Sequence, residues 1–384
     1  MKKDKKIKIL FTGGGSGGHI FPIIAIVREI KRLPSEQKDN KEIDFSYLGP
    51  KDDFADILLS QENIKIKHVL AGKIRRYVNP KSVLNNFIDI VFKIPIGLLQ
   101  AFIYIFIFAP DVIFSKGGFG SLPAVVAGWL LGVPIFLQES DVTPGLANRI
   151  LGRFSTEVFV SFPKTPYFTK KMILTGNPIR RGILNIPEQE AKQFFKITGK
   201  KPVVFIMGGS QGSQRINDEI LEVLGELVEH FEIIHQCGEK NVQQVKAEAK
   251  VVISEYLLKY YHAFGFLKEQ EIEKAYAASD LVVSRAGSGS IFEIAAWSKP
   301  SILVPLPESA QNHQVENAYA YSKKGAAIVL EEKNFTSRFF LEKLKNLFSR
   351  PEQLEKMKIA AKEFSKPMAA KIIAGYIMIY LTKQ

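Results

Sequence analysis

Ile7-Lys8-Ile9-Leu10-Phe11-Thr12-Gly13-Gly14-Gly15-Ser16-Gly17-Gly18-His19 leads directly into the helix-like stretch Ile20 to Arg32. A strand-length apolar run, a glycine turn and a helix make an anion site, because bare backbone N–H groups and a helix N-terminus point at one spot. The arrangement recurs past the middle of the chain. Val203 to Met207 is followed by Gly208-Gly209-Ser210-Gln211-Gly212-Ser213 and the helical pattern Ile216 to Val228. Two such sites imply two nucleotide-type domains facing each other across a cleft.

Working outward, short apolar runs alternate with helical patterns. In the first half they are Ile7–Phe11, Phe45–Leu48, Lys65–Val69, Val112–Phe114, Ile135–Leu137, Val158–Val160 and Ile173–Thr175. In the second half they are Val203–Met207, Ile233–Gln236, Ala263–Phe266, Leu281–Ser284, Ser301–Val304 and Ala326–Val329. This βαβ rhythm, run twice, predicts an α/β protein with two doubly wound parallel sheets. Gly and Pro punctuation in Thr175-Gly-Asn-Pro-Ile-Arg-Arg-Gly182 marks a junction. The expected division is residues 1–176, 177–366 and a last helix over 367–384 that crosses back to the first domain.

The 384-residue length fits two domains, and 46% hydrophobic with 24% charged residues is ordinary globular composition. The single cysteine, Cys237, excludes an intramolecular disulfide and fits a reducing compartment. The basic start is followed by an apolar run that ends at Phe11, too short for a signal-peptide core. A net charge of +13 calls for an acidic partner: nucleic acid, anionic lipid or a phosphorylated substrate. Nucleic acid ranks last, since neither zinc-finger spacing nor an aromatic RNA-binding signature occurs.

Lys73, Arg75, Arg76, Lys81 and Lys93 flank the most apolar stretch, Ile94 to Phe108. Interrupted by Pro95, Gly97 and Gln100, that stretch falls short of the roughly 20 residues a membrane span needs. It reads mainly as a core helix on a parallel sheet. Ile74 to Phe92, with Lys73, Arg75, Arg76 and Lys81, also reads as a face dipping into an anionic membrane surface.

Gly13-x-Gly15-x-x-Gly18 matches the dinucleotide fingerprint, but the second strand ends Tyr47-Leu48-Gly49-Pro50 without the acid that holds a ribose. Neither glycine turn carries Gly-Lys-Ser/Thr, which argues against a P-loop ATPase. His19 opens a helix whose positive end favours the neutral imidazole, so it can act as a general base or as a hydrogen bonder fixing the turn. In Ser284-Arg285-Ala-Gly287-Ser288-Gly289-Ser290-Ile-Phe-Glu293, turn amides can hold a phosphate, Arg285 can add charge, and Glu293 can take both hydroxyls of a ribose. The polar loop Pro305 to Asn317, with His313 and Gln314, follows a buried strand where ligand contacts gather. No Asp-x-Asp pair and no metal-spaced His/Cys/carboxylate cluster occurs, so a departing diphosphate would be met by Arg180, Arg285 and helix N-termini.

The chain resembles the bacterial N-acetylglucosaminyltransferases of glycosyltransferase family 28 that convert lipid I to lipid II. The resemblance covers nearly the whole chain. It rests on Gly-Gly-Gly-Ser16-Gly-Gly-His19-x-x-Pro22, Pro110-Asp-Val-x-x-x-Lys-Gly117-Gly-Phe-Gly-Ser121-x-Pro123 and Gln138-Glu139-Ser-Asp141-x-x-Pro-Gly145-Leu-Ala-Asn148-Arg. Gly176-Asn-Pro-Ile-Arg180, Gly208-Gly-Ser210-Gln-Gly, the Arg285 to Glu293 segment and His313-Gln314-x-x-Asn317 complete it. The resemblance implies a GT-B fold and an inverting, metal-independent transfer from UDP-N-acetylglucosamine to the muramyl 4-hydroxyl of an undecaprenyl-diphosphate-linked acceptor. It implies no cofactor, an anionic membrane surface on the cytoplasmic face, and contacts with the cell-wall and division machinery.

By the same resemblance Ser16, Gly17, Gly18 and Asp141 lie near the donor sugar and diphosphate. Arg180, Ser210 and Arg285 fall on the phosphate or nucleotide side, Leu267 by the uracil, and Ser288, Gly289 and Ser290 at the turn. Glu293 falls on the ribose, and His313 and Gln314 read the donor sugar. Many relatives read His-Glu-Gln-Asn where this chain has Gln138-Glu139-Ser140-Asp141. That departure excludes a histidine base there and leaves His19 or Asp141 to take the proton. A UDP-sugar-dependent diacylglycerol glycosyltransferase would share these features, and a nicotinamide-dependent oxidoreductase is the rival from another class.

Overall fold

The computed structural model describes residues 6–14, 17–34, 41–73, 80–163, 172–179, 186–209 and 211–383, with backbone only for Lys81 and Ala310. The chain divides into two compact units, Met1–Arg180 with Met368–Gln384, and Arg181–Pro367.

The first unit holds strands β1 (Ile7–Thr12), β2 (Ile43–Gly49), β3 (Lys65–His68), β4 (Val112–Ser115), β5 (Ile135–Glu139), β6 (Glu157–Val160) and β7 (Met172–Leu174). They form a sheet of order β3-β2-β1-β4-β5-β6-β7. All pairs are parallel, and Ile9 sits between Phe45 and Val112. The side-chain alternation of β1 divides the core. Ile9 and Phe11 pack with Ile20, Ile23 and Val27 of the Gly17–Arg32 helix, while Leu10 faces Ile113 and Leu137 in the opposite layer. Ile373 and Ile377 of the Ala369–Thr382 helix join the first of these layers.

The second unit holds β8 (Val203–Met207), β9 (Glu232–Gln236), β10 (Tyr261–Phe264), β11 (Leu281–Ser284), β12 (Ser301–Leu303) and β13 (Ala327–Val329), ordered β10-β9-β8-β11-β12-β13 and parallel. In each sheet the strand order reverses direction, between β1 and β4 and between β8 and β11. Ligands of open parallel sheets gather at the carboxyl ends of strands at such points, and both glycine turns lie there.

Three local expectations are corrected. Strand β10 starts two residues earlier than the sequence reading placed it, because Gly265 already accepts from the Gly238 amide in the next turn. The single helix expected over Ile216 to Val228 is two, Gln214–Glu222 and Leu224–His230, breaking at Val223 beside the poor helix former Gly225.

The apolar segment differs most. Ser82–Phe108 is a continuous 27-residue helix, long and apolar enough by length and composition to cross a membrane, and only 17% of its most apolar window is buried. It is not a core helix. A π turn over Asp89–Lys93, with the Ile94 amide reaching back to the Asp89 carbonyl, absorbs the interruption at Pro95, which lacks an N–H to donate. Gly97, Ala101 and Ile105 form the buried stripe of Ile94–Phe108. A Cβ on Gly97 would collide with the Leu70 carbonyl oxygen, so only glycine permits this approach. The Tyr104 hydroxyl meets Ser46 Oγ at 2.6 Å, and Lys8 Nζ donates to the Phe108 carbonyl at 2.8 Å. The helix is thus pinned along one side, leaving Leu99, Phe102, Ile103, Phe106 (70% exposed) and Ile107 (74%) in the open.

Candidate functional site

In the first unit the Gly17–Arg32 helix begins at the carboxyl end of β1, with His19 in its first turn. The imidazole lies against Gly14 and Gly118, and a Cβ on Gly118 would stand 2.9 Å from His19 Cε1. Its Nδ1 is shut from solvent and has no hydrogen-bond partner in good geometry among the described residues. The pKa falls from 6.5 to about 3 through burial first and the Lys116 charge second, with backbone groups of Gly117 and Lys116 opposing. The helix N-terminus expected to lower it is not among the causes. The structure puts it on burial and Lys116, and the ring is neutral in either account.

Lys116 follows β4. Its amide donates to the Thr12 carbonyl at 2.8 Å, its side chain is 3% exposed, and its ammonium donates to Ser140 Oγ. Glu139 ends β5 and is also buried. Oε1 accepts from the Asp141 amide and Oε2 from Asn148 Nδ2, both at 2.8 Å, while Asn148 Oδ1 accepts from the Gly118 amide at 2.9 Å. Burial pulls Lys116 down from the usual lysine range against the attraction of Glu139 and Asp141. Burial, then the Asp141 charge, pushes Glu139 up. Desolvation drives both partners toward their neutral forms. Asp141 sits half-buried in the loop after β5, on the same hydrogen-bonded turn as Glu139.

In the second unit Gln236, at the end of β9, ties the glycine turn in place. Its Nε2 donates to the Gly209 carbonyl at 3.0 Å, and its Oε1 accepts from the Leu267 amide at 3.2 Å. The Leu267 side chain itself is in the core. After β11, Arg285 is buried; its guanidinium donates to Ser213 Oγ at 2.7 Å, to the Val304 carbonyl at 3.2 Å and to Glu332. Its charge is therefore already balanced inside the unit. The Ser288–Ala296 helix starts at Gly287 with no side-chain cap and no acid in its first turn, an arrangement suited to an anion. Ser288 is buried, and Gly289 and Ser290 are half-buried. Glu293, one turn on, accepts from the Tyr276 hydroxyl at 3.3 Å.

Gln311 and Asn312 both have left-handed backbone, φ 59° and 55°. Left-handed residues other than glycine store strain and cluster at functional sites. This kink starts the His313–Ser322 helix. Gln314 Oε1 accepts from the Leu306 amide at 3.1 Å, and the buried Asn317 donates to the Ala286 carbonyl at 3.4 Å. The loop and the Arg285 turn are thus one hydrogen-bonded body.

The structure brings His19, Gly17 and Gly18 to one strand end with Lys116, and Arg285, Ser288, Gly289, Ser290 and Glu293 to another. Ser16, Arg180, Ser210, Arg75 and Arg76 lie outside the described residues, as does the Lys81 side chain. Lys73 is described: its amide donates to Asp89 Oδ2 at 3.2 Å, and its ammonium stands 5.8 Å over the Phe119 ring. Sequence reasoning did not single out Lys116, Glu139, Gln236 or Glu332. For the first three the available signal was position, a polar residue at or just after a strand's carboxyl end.

Two parallel-sheet units of this topology, with glycine turns at their switch points, make a fold of GT-B type. A glycosyltransferase family 28 N-terminal domain matches residues 9–160 and the family's C-terminal domain matches residues 203–373. UDP-N-acetylglucosamine–N-acetylmuramyl-(pentapeptide) pyrophosphoryl-undecaprenol N-acetylglucosamine transferase of Clostridium tetani is 37% identical over 351 residues, 91% of this chain and 92% of that protein. The Bacillus cereus protein named as transferase 2 of the same activity is 37% identical over 369 residues, 95% of this chain and 97% of its own. The crystal structure of Acinetobacter baumannii MurG shares the fold, with TM-score 0.72 at 24% identity over 98% of this chain and 100% of that one. The chain belongs to glycosyltransferase family 28.

Proposed function

We propose that this protein transfers N-acetylglucosamine from UDP-N-acetylglucosamine to the 4-hydroxyl of the muramyl sugar on undecaprenyl-diphosphate-linked lipid I, giving lipid II for peptidoglycan synthesis. The observation that carries the reading is full-length similarity to relatives named for this transfer, 37% identity over 91% of the chain. The reaction is a single in-line displacement. The acceptor oxygen bonds to the anomeric carbon as the bond to the UDP oxygen breaks, and configuration inverts. The hydroxyl proton passes to His19 or Asp141, and UDP leaves with the electron pair of the broken bond. Helix N-termini and basic groups, not a metal, stabilise the developing diphosphate charge. In this reading Glu293 holds the ribose, Leu267 lies by the uracil, and Ser16, Gly17, Gly18, Arg180, Ser210, Arg285, Ser288, Gly289, Ser290, His313 and Gln314 bind the donor.

The exposed apolar side of Ser82–Phe108, preceded in sequence by Lys73, Arg75, Arg76 and Lys81, supports peripheral attachment to the cytoplasmic face of the membrane, where a lipid-linked acceptor resides. The division-machinery partners belong to the same reading. The test is UDP release from UDP-N-acetylglucosamine in EDTA, with a short-chain lipid I analogue or diacylglycerol as acceptor. Turnover with the lipid I analogue alone is expected. Turnover with diacylglycerol alone would move the protein to glycolipid synthesis, and dependence on added Mg²⁺ would overturn the metal-free mechanism.

A further inference from the structure

We propose that Lys116 is a positioning residue for the transfer, joining the turn beneath His19 and the turn carrying Asp141 into one rigid body. The proposal rests on the reading of His19 and Asp141 as the candidate bases. A buried ammonium is costly unless its partners are fixed, and here they are. The ammonium of Lys116 donates to Ser140 Oγ, and Ser140 Oγ lies 3.3 Å from Asn177 Oδ1. On the other side Glu139 holds Asn148, and Asn148 holds the Gly118 amide, two residues beyond Lys116. The bonds therefore close a ring from the β4 turn to the β5 turn and back through Asn148. Both candidate bases hang on this ring. The His19 imidazole packs on Gly118, and the Asp141 amide is bonded to Glu139.

The charged groups around Lys116 are Glu139 and Asp141, and Lys116 is the charged side chain that acts on His19. A positive charge beside an imidazole disfavours a second one. Loss of the Lys116 charge therefore raises the His19 pKa, which reports that the two side chains are adjacent, while the positioning role is read from kcat against KM. Loss of Lys116 also leaves Glu139 buried without its counter-charge, so a second variant that neutralises both separates misfolding from mispositioning.

The experiment uses full-length Lys116→Met and the double variant Lys116→Met with Glu139→Gln. Turnover is followed with UDP-N-acetylglucosamine and a short-chain lipid I analogue, and His19 titration by NMR of histidine-labelled protein. In both variants kcat is expected to fall at least tenfold, with KM for UDP-N-acetylglucosamine changed less than twofold. The His19 midpoint is expected to rise in Lys116→Met, by less than the full lowering because burial remains. A folded variant with wild-type kcat would overturn the proposal, whether or not the His19 midpoint moves. If His19→Ala and Asp141→Asn both keep full turnover, the reading of the bases falls. If they lose turnover while Lys116→Met keeps it, the positioning role alone falls.

Discussion

The Arg285 guanidinium and the Glu332 carboxylate form an ion pair inside the second unit, at the carboxyl end of β11. Glu332 also meets Arg215 at 3.3 Å. Removing one partner of a buried pair leaves an uncompensated charge, at a cost of about 3–5 kcal/mol. Glu332→Ala is expected to lower the urea unfolding free energy by that order. It is also expected to weaken UDP binding, because Arg285 then loses the contact that fixes it beside Ser213. Unchanged unfolding would show that the pair is dispensable.

His19 is neutral throughout the physiological range, so it can accept a proton without first losing one. A positioned acid or base contributes about 10²–10⁴-fold. His19→Ala is expected to reduce kcat within that range while UDP affinity, measured by calorimetry, changes less than twofold. Asp141→Asn measures the alternative base. A larger kcat loss in Asp141→Asn than in His19→Ala would transfer the role to Asp141.

Gly118 has φ +79° and ψ 171°, a region essentially confined to glycine that costs an L-residue roughly 1–3 kcal/mol. A methyl group there would also stand 2.9 Å from His19 Cε1. Gly118→Ala is expected to lose stability of that order and more than tenfold in kcat, since the imidazole must move. An active variant of normal turnover would show that the ring position is not critical.

Membrane attachment is tested on both its components. Phe106→Asp with Ile107→Asp removes two of the most exposed apolar side chains of the Ser82–Phe108 helix. Burying one such side chain is worth about 1.5–3 kcal/mol. Sedimentation with anionic vesicles is expected to drop at least tenfold. Arg75→Glu with Arg76→Glu is expected to weaken binding to anionic but not to neutral vesicles. Equal binding by all variants would remove the membrane-face assignment.

Strands were legible because a parallel strand covered on both faces is a short continuous apolar run, as in Val203 to Met207. Pro95 and Gly97 misled in the apolar helix. Sequence alone does not reveal that a π turn absorbs Pro95, or that Gly97 marks a close backbone approach rather than a break. In the sites the glycine turns could be read locally. The buried pairings of Lys116 and Arg285 could not, because their partners Ser140 and Glu332 lie 24 and 47 residues away and only the sheet brings them together.

His235 is fully buried on β9, with Nδ1 at 2.7 Å from the Tyr261 hydroxyl and Nε2 at 3.1 Å from Asn217 Oδ1. Asn217 Nδ2 donates to the Cys237 carbonyl, which identifies Oδ1 as the acceptor. The network therefore assigns the proton to Nε2, and Nδ1 accepts from Tyr261. Both ring nitrogens are satisfied in the neutral form, and burial lowers the pKa from 6.5 to about 3. Between those values the unfolded chain binds a proton that the native state does not, so stability falls as pH drops from about 6.5 toward 3. Above 6.5 neither state is protonated and the penalty vanishes. His19, lowered to a similar value, acts in the same direction. His235→Gln is expected to be less stable than wild type in urea at pH 7.5, because the Tyr261 and Asn217 bonds are disturbed. The gap is expected to narrow at pH 6.0 and again at pH 5.0, since the variant has one fewer group to protonate on unfolding. A gap constant across the three pH values would mean that His235 is not held neutral in the native state.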